Sequence, residues 1–102
     1  MDTPYSAELF QAHVGSSFFF STDGGQFPLL LEQVACKPDQ GGPFRAFTLI
    51  FSSDKHAFFE QGTYPLAHPG LGQLDIFITA IGESETQFRY QAPFSVRNPA
   101  PC

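Results

Sequence analysis

The sequence has no tryptophan, one methionine and two cysteines, and charged residues make up only 15 % of it. Its five bases stand against ten acids, a formal charge of −5. A surface of that sign repels phosphate backbones, so nucleic acid is not the expected partner. Apolar runs such as Phe18-Phe19-Phe20 and Leu29-Leu30-Leu31 are only three residues long. Both fall far short of the roughly 20 residues that a bilayer-spanning helix needs, and no membrane partner is expected. Met1-Asp2-Thr3-Pro4 has neither a basic stretch nor an apolar one behind it, so no secretory signal and a cytoplasmic location are the expectation. Cys36 and Cys102 form no CxxC pair, which sets structural zinc aside. In a reducing compartment the two are free thiols, a Cys36–Cys102 disulfide being the alternative.

Phenylalanine, by contrast, is abundant: 13 residues in a chain of 102. Burying those rings offsets the backbone entropy that keeps polar sequences disordered. The length suits one domain, residues 1–102, with an ordered core over about 5–96 and a frayed tail at 97–102. Helical character is confined to the segment from Tyr5 to Val14, where Leu9, Phe10, His13 and Val14 fall on one face. Thr3 or Ser6 can cap it, Pro4 suits its first turn and Gly15 stops it.

Everything after Gly15 alternates with period two between turn signals. Strands are expected over Ser16–Thr22, Phe27–Lys37, Arg45–Phe51, a stretch around Tyr64–His68, Gln73–Ile81 and Thr86–Ser95. The alternation of Leu29 and Leu31 breaks at Val34, which predicts a bulge near Glu32-Gln33. Ser52-Ser53-Asp54-Lys55 reads as an exposed polar segment. Pro65 and Pro93 lack amide protons and mark sheet edges or bulges. The pattern is all-β and mainly antiparallel: a small barrel or strongly curled sheet of about six strands, its open end covered by the short N-terminal helix. An α+β sheet with the helix on one face is the alternative.

The order Val14-Gly15 with Phe18, then Leu29-x-Leu31, then Ala46-Phe47-Thr48-Leu49-Ile50-Phe51 resembles a family of small bacterial stand-alone domains of unknown function. The resemblance continues through Gln61-Gly62-Thr63-Tyr64-Pro65-Leu66-Ala67-His68-Pro69, Leu71-Gly72-x-Leu74-Asp75-Ile76-Phe77-Ile78 and Tyr90-Gln91-Ala92-Pro93-Phe94. Its most specific stretch is Gln61 to Gly72. The chain departs from the pattern at Ala80, where a proline is usual, and at Pro93, where an aliphatic residue is. The resemblance implies no catalytic residue. It implies a role in assembly, beside proteins resembling phage-tail collars.

Three residues form a candidate ligand site. His68 shares a face with Tyr64 and Leu66, so its ring turns inward, where histidine most often serves architecture through a backbone hydrogen bond. Asp75 stands on the opposite face from Leu74, Ile76 and Ile78, as a solvated carboxylate paired with Arg89 across a hairpin. The alternative function is a small-molecule or metal-binding barrel, catalytic or not, with Tyr64, His68 and Asp75 lining its mouth. His13, His56 and His68 lack metal-ligand spacing, and no metal or other cofactor is expected.

The surplus of rings points elsewhere. So small a domain does not bury all its phenylalanines, and Phe19, Phe58, Phe59 and Phe77 have the weakest claim to the core. Gathered outside, they form an apolar patch for another protein or a second copy of the chain, with strand edges as a further means of pairing. The expectation is a non-enzymatic interaction or assembly module.

Overall fold

Period-two alternation builds six antiparallel strands that close into a barrel in the order β1-β2-β3-β6-β5-β4. The computed structural model describes residues 7–22, 24–37, 42–55 and 58–97, for 96 and 97 the backbone alone. The elements are α1 (Ala7–Gln11), β1 (Ser17–Thr22), β2 (Gly25–Cys36), β3 (Phe44–Asp54), β4 (Gly62–His68), β5 (Gly72–Glu83) and β6 (Gln87–Arg97). The all-β expectation holds, with the barrel rather than an open sheet as its form. Among the described residues no helix is long and apolar enough to cross a membrane.

One face of each strand fills the interior. Phe18, Leu29, Leu31, Phe47, Leu49, Phe51, Leu66, Ile76, Ile78, Tyr90 and Ala92 are almost wholly withdrawn from water. Burial of this kind stabilises by about 1.5–3 kcal/mol for each large side chain. The predicted bulge is present: Leu31 faces Phe51, yet Gln33 faces Ile50, so Glu32 is the extra residue. A second shift, between Ala80 and Gly82, puts Ile81 outside the β5–β6 register.

Several expectations need correction. β3 runs on through Ser52, Ser53 and Asp54, and the two serines are buried. Neighbours on both sides sustain it there, since Ser52 pairs with Leu30 and with Arg89. The helix ends at Gln11 and turns follow to Gly15, whose φ of 92° only glycine adopts without strain. That turn throws Val14 outward, and it is exposed rather than on the buried face. The proposed caps Thr3, Pro4 and Ser6 lie outside the described residues. β6 reaches Arg97, one residue into the predicted tail; the rest of that tail lies outside the described residues.

The two expected edges are internal seams. β1 pairs with β4 through Phe19↔Ala67 and Phe20↔Leu66, which closes the barrel and leaves no strand with a free side along its whole length. Pro65 stands just beyond that short ladder. Pro93 stands beyond the β5–β6 ladder, which begins at Thr79↔Gln91. Each proline therefore sits where the missing amide removes no rung on that side. Cys36 is disulfide-bonded, which overturns the expectation of a free thiol there. The chain's other cysteine, Cys102, lies outside the described residues.

Candidate functional site

The two ends of the barrel are closed in different ways. At one end α1 lays Ala7 and Phe10 over the mouth. The Phe10 ring meets Phe18, Phe47 and Phe94 with centroids 6.4, 6.1 and 5.4 Å away. The helix exit is pinned by backbone bonds in both directions, Gly15 N–H to Leu31 C=O at 2.8 Å and Leu31 N–H to Ser16 C=O at 3.0 Å. At the other end the segment 58–60 folds over the opening. Phe59 is buried there against Phe20, Tyr64 and Tyr90.

Each end also carries a chain of hydrogen bonds, buried around Tyr90 at the loop end and part-buried around His68 at the helix end. At the loop end, Phe59 N–H donates to the Tyr90 hydroxyl at 3.1 Å, and that hydroxyl lies 2.9 Å from Ser53 Oγ. Ser53 Oγ donates to the Asp54 carbonyl at 3.3 Å, so Tyr90 O–H is the donor to Ser53. At the helix end, Gly70 N–H donates to His68 Nδ1 at 2.9 Å, and His68 Nε2 lies 2.8 Å from Ser16 Oγ. Ser16 Oγ in turn donates to the His13 carbonyl at 2.5 Å. His68 therefore turns inward, with both ring nitrogens bonded to the chain. Its backbone partner, though, is a donor, and its proton goes to a serine rather than to a carbonyl. Burial, and secondarily the neighbouring His13, holds its pKa below the ordinary 6.5.

The residues of the proposed ligand site are placed as their faces demand, and they do not meet. Tyr64 and His68 do point inward, but at opposite ends of β4. Tyr64 packs on Phe20 and Phe59 and donates to the Glu60 carbonyl at 2.7 Å. Burial, and then the Glu60 carboxylate, raises its pKa. Asp75 stands exposed on the outer wall opposite Pro65. It does not pair with Arg89, which instead bridges to Glu32 at 2.8 Å. The Ser52 hydroxyl, and then Arg89, holds the Glu32 carboxyl below its ordinary value. The bulge makes this pair possible, because it offers Glu32 to a strand two places away.

The four candidate docking phenylalanines divide. Phe59 is core, 4 % exposed, and is withdrawn from the surface set: the Tyr90 hydroxyl fixes its amide and draws its ring inside. Phe19 is half-buried on the outer wall between Pro28 and Ala67. Phe58 and Phe77 are exposed, 54 % and 43 %. Phe58 lies at the loop end against Phe88, with centroids 5.0 Å apart, whereas Phe77 is on the wall of β5, opposite Thr63. Besides Val14, Phe44 and Ile81 are also exposed. Phe44 was missed, although its odd spacing from Phe47 already placed it on the outer face.

The end that carries Phe58 also carries charge. Lys55 Nζ lies 4.4 Å above the Phe88 ring and pairs with Glu83 at 2.5 Å. Asp54, Glu60 and Glu85 are exposed around the same end. A cleft of about 290 Å³ opens between Leu30, Ser52, Asp54 and Gln87, and neither the proposed ligand residues Tyr64, His68 and Asp75 nor the four candidate docking phenylalanines line it. Among the described residues no three His, Cys, Asp or Glu side chains stand together to hold a metal ion.

Neither the curated proteins nor the solved structures hold a match to the chain. A family model matches residues 5–94, from the helical segment into β6, and on that match the chain belongs to DUF6916, a domain of unknown function.

Proposed function

We propose that this protein is a non-enzymatic interaction or assembly module that binds another protein, or a second copy of itself, through aromatic side chains on its outer surface. One contrast carries the reading. Inside, the polar groups of His68, Tyr90 and Ser53 are engaged by the chain's own atoms, while outside Phe58 and Phe77 stand in water. Large exposed rings cost solvation that a partner recovers, and aromatic residues are the anchors of protein interfaces. The acidic groups at the same end as Phe58 favour a partner of opposite sign. Strand edges carry less of the proposal, since the barrel closes on itself. A place in phage-tail-like assemblies of bacteria belongs to the proposal through the sequence resemblance alone. The disulfide at Cys36 suits an oxidising compartment better than the cytoplasm expected from the sequence.

The alternative, a ligand or metal site on Tyr64, His68 and Asp75, has less support, because these three occupy two ends and an outer wall. The test is Phe58→Ser and Phe77→Ser, singly and together. Both side chains are exposed, so the variants should keep the wild-type circular dichroism and melt within a few degrees of it. Light scattering across concentration reads self-association, and affinity capture with quantitative mass spectrometry reads a foreign partner. Loss of either in the double variant is the expected result. A wild type that is monomeric throughout, and that captures nothing the double variant loses, would sink the proposal.

A further inference from the structure

His68 closes β4 beneath the exit of α1, and both its ring nitrogens are in use. Nδ1 accepts the Gly70 amide proton, so it carries none of its own, and the ring is the Nε2–H tautomer that donates to Ser16. Ser16 passes the direction on to the His13 carbonyl, which belongs to the turn leaving the helix. The His13 ring meets that of His68 edge-on with centroids 4.7 Å apart, and the Phe18 ring is also 4.7 Å away. Space is tight as well: a Cβ on Gly70 would stand 3.0 Å from His13 Cε1 and 3.4 Å from the His68 ring.

We propose that this cluster is a pH-operated latch, in which a second proton on His68 undocks α1 and its exit turn from the barrel mouth and uncovers the apolar seat of Phe10. A proton on Nδ1 faces the Gly70 N–H donor to donor, and the hydrogen bond that holds the turn 69–71 becomes a repulsion. The new charge is buried against Phe18, and among the described residues no carboxylate bonds to the ring to receive it. His13 is the titratable side chain in contact with it; Glu8 on α1 and Asp75 on β5 are exposed. A protonated His13 only adds repulsion. The five-residue helix has no stability of its own, so it stays only while docked. The strand ladders, in contrast, use none of its residues.

The sign follows from linkage. The native state holds His68 below its ordinary 6.5, so the unfolded or undocked state binds the extra proton. The contribution of the latch is whole above 6.5 and is lost as pH falls through the lowered native value.

The test is a nuclear magnetic resonance titration of the full chain from about pH 7.5 to 4.5, the range in which histidine changes charge. The expected result is a His68 Cε1–H midpoint below 6.5, shared by the amides of Phe10 and Ser16, while Phe59 and Tyr90 at the far end hold still. Fluorescence of the apolar dye ANS should rise severalfold over the same interval. His68→Gln keeps one acceptor and one donor without titrating, and it should abolish the rise. Phe10 shifts that ignore the His68 midpoint would overturn the latch. So would Phe59 and Tyr90 moving in step with Phe10, which is unfolding of the whole barrel, or a dye response that persists in His68→Gln. Should that variant not fold, the wild-type titration decides alone.

Discussion

At the scale of single residues, the buried hydroxyl of Tyr90 does what no apolar side chain could do in its place. It accepts a hydrogen bond from the Phe59 amide and donates one to Ser53, so that a loop segment with no ladder of its own is fixed over the barrel end. Tyr90→Phe preserves the ring and its contacts and strands the Phe59 amide. The expected loss is about 1–3 kcal/mol, the cost of one unsatisfied buried donor. Urea denaturation measures it, and an unchanged stability would show that water reaches this end of the barrel. Alternation in the sequence placed the Tyr90 ring inside. It said nothing of the hydroxyl, because the partner residues are 31 and 37 positions away and only closure of the barrel brings them together. His68 shows the same limit. Its inward direction was legible from its register with Tyr64 and Leu66, whereas its contact with Ser16 spans 52 positions.

The elements were legible where local pattern suffices and obscure where a neighbour decides. The β2 bulge was readable because an extra residue flips every later side chain to the other face, and Val34 betrays that flip. The true end of β3 was not readable: Ser52 and Ser53 are polar, and only the strands on either side explain their burial. The helix was overestimated for a related reason. Its apolar spacing continues to Val14, but the chain must turn at Gly15 to enter β1. What holds α1 is therefore packing rather than helix propensity, and Phe10 supplies most of it. Phe10→Ala removes a fully buried ring that meets those of Phe18, Phe47 and Phe94. The expected loss is about 3–5 kcal/mol, the usual range for emptying so large a core site. It should come with rapid amide exchange through residues 11–15 and native-like exchange in β3 and β6. A loss below about 1 kcal/mol would mean that the barrel mouth is sealed without the helix.

On the scale of the whole molecule, the barrel is closed by one short ladder, β1 with β4, of two residue pairs, against eleven between β3 and β6. Its ends are held by the helix, the 58–60 segment and a covalent bond at Cys36, the last residue of β2. The compartment rule misjudged that bond because it weighs where a protein lives, not whether a second cysteine can come within reach. A cross-link stabilises chiefly by restricting the unfolded chain, and the effect grows with the length of loop it closes. Cys36→Ser should therefore lower stability by about 2–4 kcal/mol without altering the native circular dichroism. Wild-type protein treated with reductant should fall to the same urea midpoint. Thiol titration of the unreduced protein in denaturant should find Cys36 without a free sulfhydryl, since no cysteine among the described residues is free. If the variant and the wild type unfold alike under non-reducing conditions, the bond does not form in solution. The barrel would then rest on its ladders and end closures alone, and the case for an oxidising compartment would go with it.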